Sequence, residues 1–313
     1  MICLAVVAVG LGKRIGYDLA NPASSLPMSV PTTQPLSIDP SFFQGSRSSK
    51  LPGTAPALSA SKPPAVQAPA GPVVSAQAYL IGNVATGQIY AERNGATALP
   101  IASMSKLMTA IVATETIAPT TTIEITPLEA SVYPDLSRIG ADESFTAKEI
   151  LYPLLLDSSN IAAEALASST NRAKFIDLMN SSAWEIGLPT TYFADPSGLS
   201  PLNQASAEGF FDLAKYVYAS RPDLLAITRT QSISVATTTE HGAHDFVSIH
   251  PFVADPRFIG GKTGHTDEAA DTMLTILNIG GQPIAFIVLG SNDRTKDTSL
   301  LVDQVLKILA AKQ

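Results

Sequence analysis

The sequence predicts a mixed α/β fold: one antiparallel sheet flanked by helices, with an inserted helical subdomain between the two halves of the sheet. Three observations predict it. Strand-like runs occur at both ends of the folded region, at Ala78–Asn83 and residues 88–92 early, and at residues 258–264, 272–277 and 283–289 late. Helical periodicity dominates the stretch between them. A last helical pattern over residues 300–311 then closes the chain.

Taken in order, residues 1–12 (MICLAVVAVGLG) are apolar and are followed by Lys13-Arg14. The run is shorter than the ~20 residues a spanning helix needs, and it lacks the basic residues that precede the apolar part of a signal peptide. Residues 1–20 are read either as a truncated signal or membrane tether, or as an apolar terminus of no consequence. Lys13-Arg14 weigh slightly against export, since positive charge prefers the cytoplasmic flank. Residues 21–74 are rich in Pro, Ser, Ala and Thr without a sustained period. Such a composition buries too little apolar surface to offset the entropy of ordering, so it reads as a linker.

The folded part is expected over residues 75–313. Ala85-Thr86-Gly87 joins the first two strands as a hairpin. A helix follows over residues 103–115, with Ser103 at or near its N-cap. Further helical patterns cover residues 147–156, interrupted at Pro153, then Asn160–Ser168, then residues 172–186, ended by Gly187. The fifth, Ala207–Ser220, stops before Pro222. A Thr/Ser-rich strand region leads into the three late strands.

The chain has 313 residues, 45% hydrophobic and 15% charged, enough for a sizeable core. Its formal net charge of -7 argues against a nucleic-acid partner, which needs a basic face to neutralise phosphates. The single cysteine, Cys3, excludes intrachain disulfides and Cys-ligated zinc. His241 and His244 lie in a Gly/Thr-rich stretch and read as part of a solvated loop, not as a metal pair. No cofactor is expected.

Three short elements carry chemistry. Ser103-Met104-Ser105-Lys106 puts a hydroxyl and an amine three residues apart, on one face of a helix. A serine needs a base to become a nucleophile, and a lysine one turn away can serve. Ser59-Ala60-Ser61-Lys62 repeats the spacing in the linker, beside Pro63-Pro64, where no helix holds the pair together. Ser158-Ser159-Asn160 places a hydroxyl and an amide at the mouth of a helix. Lys262-Thr263-Gly264, followed by His265, lies on a strand-like run. Each has an ordinary structural reading when taken alone: an N-cap serine with a solvent-facing lysine, two helix caps, and a strand end entering a turn. Ser169-Thr170-Asn171 matches the serine–asparagine spacing but sits where a helix runs out. Ala194–Leu199 (ADPSGL) reads as a turn near the site, Asp195 included. Trp184 and the phenylalanines read as core.

The ordered triplet S-x-x-K, S-x-N, K-T-G resembles the penicillin-recognising serine acyltransferases. The flanks LPIASMSKLMTA, LLLDSSNIAAEALA, FADPSGLS and GGKTGHTDEAA resemble the D-alanyl-D-alanine carboxypeptidases of low molecular mass. The resemblance runs from about Ser75 to the C-terminus. It implies a β-lactamase/transpeptidase-like fold and a serine carboxypeptidase, or cross-link endopeptidase, acting on peptidoglycan stem peptides. It further implies β-lactams as covalent inhibitors and an extracytoplasmic location. By resemblance Ser103 is the nucleophile, Lys106 its base, Ser158 the proton relay to the leaving amine, and Asn160 the partner of Lys106 and of the substrate amide. Lys262 and Thr263 receive the terminal carboxylate, and the Ser103 and His265 N–H groups form the oxyanion hole. Gly264 is expected to let the substrate backbone approach the strand.

A lysine base working near neutrality needs a pKa roughly 3 units below its usual ~10.4. Burial and a neighbouring cation, with Lys262 as the obvious one, both push that way. Two alternatives stand beside the peptidase. A serine β-lactamase of the same superfamily needs a glutamate-held water, and no E-x-x-L-N run lies between the second and third elements. A non-catalytic penicillin- or cell-wall-binding protein would have lost reactive positions, all of which are present.

Overall fold

The computed structural model describes residues 73–311. The N-terminal segment, most of the linker and the Ser59/Lys62 repeat lie outside these residues. The first strand, β1 (Ala78–Asn83), turns into β2 (Ile89–Arg93), as the hairpin signal predicts. Short β3 (Leu99–Pro100) and a 3₁₀ turn, Ala102–Ser105, lead into α1 (Lys106–Thr116). Next come β4 (Thr122–Glu124), α2 (Pro127–Ala130), β5 (Ser144–Thr146), α3 (Leu151–Leu155), α4 (Asn160–Ser168) and α5 (Arg172–Glu185). The second half holds β6 (Gln204–Ala205), α6 (Ala207–Ser220), α7 (Pro222–Thr228), β7 (Ser232–Val235) and β8 (His244–Val247). Long strands β9 (Phe258–Thr266), β10 (Ala270–Ile279) and β11 (Gln282–Ser291) precede α8 (Arg294–Ala310).

The main sheet runs β2-β1-β11-β10-β9, antiparallel throughout. Both ends of the chain therefore build one sheet, with the helical block inserted between them. Alternate residues divide between two cores, as the period of a strand requires. Leu80, Leu274, Ile276, Ala285 and Ile287 face the larger core with α1 and α6, whereas Ile81, Leu277, Phe286 and Val288 pack with Leu301 and Val305 of α8. Helix α1 runs through the larger core, buried from Lys106 to Ala113. A helix enclosed on every side must be apolar or small all round, and its run of Ala, Leu, Ile and Val meets that need.

Several local expectations change. Residues 147–150 form a turn, and the helix is confined to Leu151–Leu155. The closing helix begins six residues earlier than expected, because the Asp293 side chain caps it by accepting from Lys296 N (2.9 Å). Helix α7 was not anticipated; Pro222 opens it at a first-turn position, where a missing N–H costs nothing. Val74 is buried in the second core, so the ordered part starts before residue 75. Trp184 is 73% exposed on α5, contrary to the expectation of core. His241 is buried rather than solvated, stacked on Phe145 with ring centroids 4.5 Å apart. His244 stacks on Phe246, and its Nε2 lies 2.7 Å from Glu143 Oε1.

Candidate active site

Ser103 does not cap a helix. It lies inside the 3₁₀ turn, and no side chain caps the N-terminus of α1. Ser105 Oγ instead donates to Ala102 O (2.8 Å), and Asn203 Nδ2 donates to Ser105 Oγ (2.9 Å). The i,i+3 spacing serves better in this geometry than in an α-helix, because side chains three apart eclipse in a 3₁₀ turn. Lys106 Nζ stands 2.8 Å from Ser103 Oγ. Ala102, just before the serine, has φ +49, a left-handed conformation that costs a non-glycine residue about 1–2 kcal/mol.

Lys106 is fully buried, and its amine is held from two further sides, by Asn160 Oδ1 (2.6 Å) and Ser197 O (2.6 Å). The Ser197 carbonyl is aimed by the Ala194–Leu199 turn. There Asp195 accepts from Ser197 N (2.8 Å), Gly198 N (2.5 Å) and Ser200 N (2.6 Å), so Asp195 is a structural acceptor. Thr109 Oγ1 on α1 donates to Pro196 O (2.6 Å), tying the turn to the helix.

The second element opens α4. Ser159 is its N-cap, accepting from Ala162 N (3.0 Å), and Asn160 Nδ2 donates to Pro134 O. Asp135 binds this first turn, accepting from Ser159 Oγ (2.8 Å) and Ile161 N (2.9 Å), while Ser137 N (2.8 Å) fixes its other oxygen. Ser158 is left half-buried with φ +63. By contrast Asn171, of the discounted third spacing, simply caps α5.

The third element forms the edge strand β9. Lys262 is buried and donates to Ser158 Oγ (2.7 Å) and Thr263 O (2.8 Å), so it stands behind Ser158. Thr263 is likewise buried, and His265 is exposed with Nδ1 2.9 Å from Asp271 Oδ1. A Cβ on Gly264 would lie 2.7 Å from Ile101 O and 2.9 Å from Ser103 N. The glycine therefore already serves close packing of β9 against the serine's own turn, a role the sequence reading assigned only to substrate approach. Arg294, at the start of α8, donates to Gly264 O (2.8 Å) and pairs with Asp271 (3.1 Å).

All eight sequence-predicted positions thus fall on three adjoining elements. Asp135, Ser137, Asn203 and Arg294 were missed, because they act through hydrogen bonds to distant segments and belong to no short spacing pattern.

Burial lowers the Lys106 pKa to about 7, against the opposing pull of Asp135, Asp195 and Glu164. Burial first, then the positive charges of Lys106 and Arg294, hold Lys262 well below the ordinary lysine range. Of the two expected causes, burial is the larger for Lys106, and the two buried lysines repel each other.

A neutral Lys106 is the basic form, so the acylation rate is expected to rise with pH up to about 7 and then level off. Lys106→Arg, which stays charged, should lose both the rate and that limb. Asp135→Asn removes an anion that favours the ammonium form, so the limb should move to lower pH. Stopped-flow acylation by a chromogenic cephalosporin across pH 5–9 measures both.

A buried lysine with its pKa lowered to about 7 on a serine hydroxyl, beside a second serine backed by a second lysine, is the kind of arrangement found in serine acyl-transfer enzymes. The chain belongs to the D-alanyl-D-alanine carboxypeptidase family, whose profile matches residues 65–293, and it is a serine peptidase. Among curated relatives, a D-alanyl-D-alanine endopeptidase of Pseudomonas aeruginosa is 29% identical over 245 residues, 75% of this chain and 77% of the relative. A crystal structure of a Mycobacterium tuberculosis D-alanyl-D-alanine carboxypeptidase superposes with TM-score 0.70 at 25% identity, covering 78% of this chain and 94% of that one. Penicillin-binding protein D2 of Listeria monocytogenes, solved in its cefotaxime-bound form, gives TM-score 0.65 at 26% identity, with 74% and 97% covered.

Proposed function

We propose that the chain is a D-alanyl-D-alanine peptidase that removes the terminal residue from peptidoglycan stem peptides, or opens their D-Ala cross-links, through an acyl-serine intermediate. The observation that carries this reading is the enclosed Lys106 amine 2.8 Å from Ser103 Oγ, with a pKa near neutrality. In acylation, Ser103 Oγ bonds to the carbonyl carbon of the penultimate D-Ala while its proton passes to Lys106 Nζ. The Ser103 and His265 N–H groups stabilise the resulting oxyanion, each donor worth about 3 kcal/mol in the transition state.

Ser158, supported by Lys262, delivers a proton to the departing amine as the C–N bond breaks and is reprotonated by Lys106, which returns to its neutral form. Water then attacks the ester, neutral Lys106 takes the water's proton, and that proton passes to Ser103 Oγ as the C–O bond to the serine breaks and the shortened peptide acid leaves. Asn160 holds Lys106 and the substrate amide. Lys262 and Thr263, with Arg294 beside them on Gly264, supply the positive and hydroxyl surface for the substrate's carboxylate. Among these groups Ser103 and Ser158 are the half-buried hydroxyls, and the lysines lie behind them, out of water.

The substrate lies outside the cytoplasmic membrane, so the enzyme works there, in the periplasm or at the cell surface. The catalytic domain follows a linker in this reading. Among the described residues no helix is long and apolar enough to cross a membrane, and the expected signal or tether at residues 1–20 lies outside them.

The test compares D-Ala release from a stem pentapeptide with the lifetime of the penicilloyl adduct. Release of D-Ala together with an adduct lasting minutes or longer supports the peptidase. Penicillin turnover in seconds without D-Ala release would make it a β-lactamase, and a stable adduct with no D-Ala release would make it a binding protein.

A further inference from the structure

Four large apolar side chains stand out in water around the Ser158 element: Tyr133 (87% exposed), Leu136 (72%), Val247 (54%) and Ile249 (42%). Single exposed apolar residues are ordinary; a group of them at a reactive site is informative. The segments that carry them are fastened to one short segment, residues 156–161. Pro134 O accepts from Asn160 Nδ2, and Asp135 holds Ser159 Oγ and Ile161 N, so Tyr133 and Leu136 ride on a loop fixed to one side of that segment. On the other side Val247 N donates to Asp157 Oδ1 (2.7 Å) and Ile249 N to Leu156 O (3.1 Å). Arg138, exposed on the first loop, acts electrostatically on Asp157, which brings the two sides together around one carboxylate.

We infer that Tyr133, Leu136, Val247 and Ile249, with Arg138, form the subsite for the leaving group of a D-Ala cross-link: an amine carried on the aliphatic side chain of a neighbouring stem peptide. The inference rests on the peptidase reading above, in which Ser158 hands its proton to the departing nitrogen. Whatever is attached to that nitrogen extends past Ser158, onto residues bound to the same segment. A terminal D-Ala ends in one methyl and one carboxylate and has nothing to lay across an apolar rim. A chain of methylenes does, and removing it from water is favourable in proportion to the apolar area covered. Arg138 places a cation where the second stem carries its carboxylates. The subsite is built for opening cross-links, with cleavage of the free pentapeptide left independent of it.

The test uses the full chain and a triple variant, Tyr133→Ser, Leu136→Ser and Val247→Ser. The side chains replaced are exposed, and the hydrogen bonds that fasten their segments come from the backbone and from the side chains of Asp135, Asp157 and Asn160. Three rates are compared: cleavage of a synthetic cross-linked stem dimer, D-Ala release from the pentapeptide, and acylation by a fluorescent penicillin. The variant should lose about tenfold or more in kcat/KM on the dimer, chiefly through KM, and stay within about twofold on the other two. Equal losses on all three would mean damage to the machinery and overturn the subsite, as would an unchanged dimer rate. Wild-type enzyme that releases D-Ala but leaves the dimer intact overturns the subsite and keeps the peptidase. Wild-type enzyme that is neither acylated nor active on either peptide overturns the peptidase reading itself.

Discussion

Replacing Ser103 by alanine is expected to abolish covalent labelling by a fluorescent penicillin and to lower D-Ala release by about 10,000-fold or more, the loss expected when a nucleophile is removed from a serine hydrolase. The protein stays folded, because the Ser103 hydroxyl caps no helix and its recorded partner is Lys106 Nζ. Lys106 keeps Asn160 Oδ1 and Ser197 O, so the amine is not orphaned. A thermal midpoint within a few degrees of wild type, with no label on a denaturing gel, is the expected pair of results. Labelling at wild-type strength would remove Ser103 from the mechanism. Lys106→Met is the harsher companion: it also removes the base, and it leaves the Asn160 and Ser197 oxygens without their donor inside the protein. It should fail to label and also unfold at lower temperature.

Gly198→Ala should disable the enzyme without touching a reactive group. Gly198 has φ +87, and an added Cβ would lie 2.0 Å from Ala102 O and 2.9 Å from Ser103 N. No side-chain rotation relieves this, because the obstacle is the backbone of the turn that carries Ser103. Left-handed strain and overpacking together cost about 3 kcal/mol. A displacement of the turn by an ångström can cost on the order of 100-fold in rate. Gly187→Ala is the control: its φ is +84, and nothing lies within 4 Å of the added Cβ. It should lose only about 1 kcal/mol of stability and acylate normally. Differential scanning fluorimetry and acylation rates separate the two. If both variants lost stability equally and both acylated normally, the close contact at Gly198 would have no role in holding Ser103.

How much was legible in the sequence differs from element to element. The sheet was readable at both ends, since β1, β10 and β11 carry apolar runs of the kind a covered strand needs. The bounds of helix α4 were readable from the Ala-rich stretch, although its cap is Ser159 and not Ser158 or Asn160. The 3₁₀ turn at Ser103 was not, since SxxK followed by an apolar run favours a regular helix locally, and Asn203, nearly a hundred residues on, pins the turn by holding Ser105 Oγ. Trp184 was misplaced because a large aromatic on an amphipathic helix is core by default, and only packing shows which face of α5 is left in water.

The sequence by itself determined the family, the main sheet built from both ends of the chain, and the three elements that meet in the site. These are properties of local pattern and order, and chain order limits which strands can pair. Tertiary structure alone decided why Lys106 titrates near neutrality, since the depression comes from burial. It also decided that Asp135 fastens the Ser158 element, and that two glycines are needed to admit the turn bearing Ser103. Burial and close contact are properties of segments brought together from far apart in the chain, and no spacing along the chain records them.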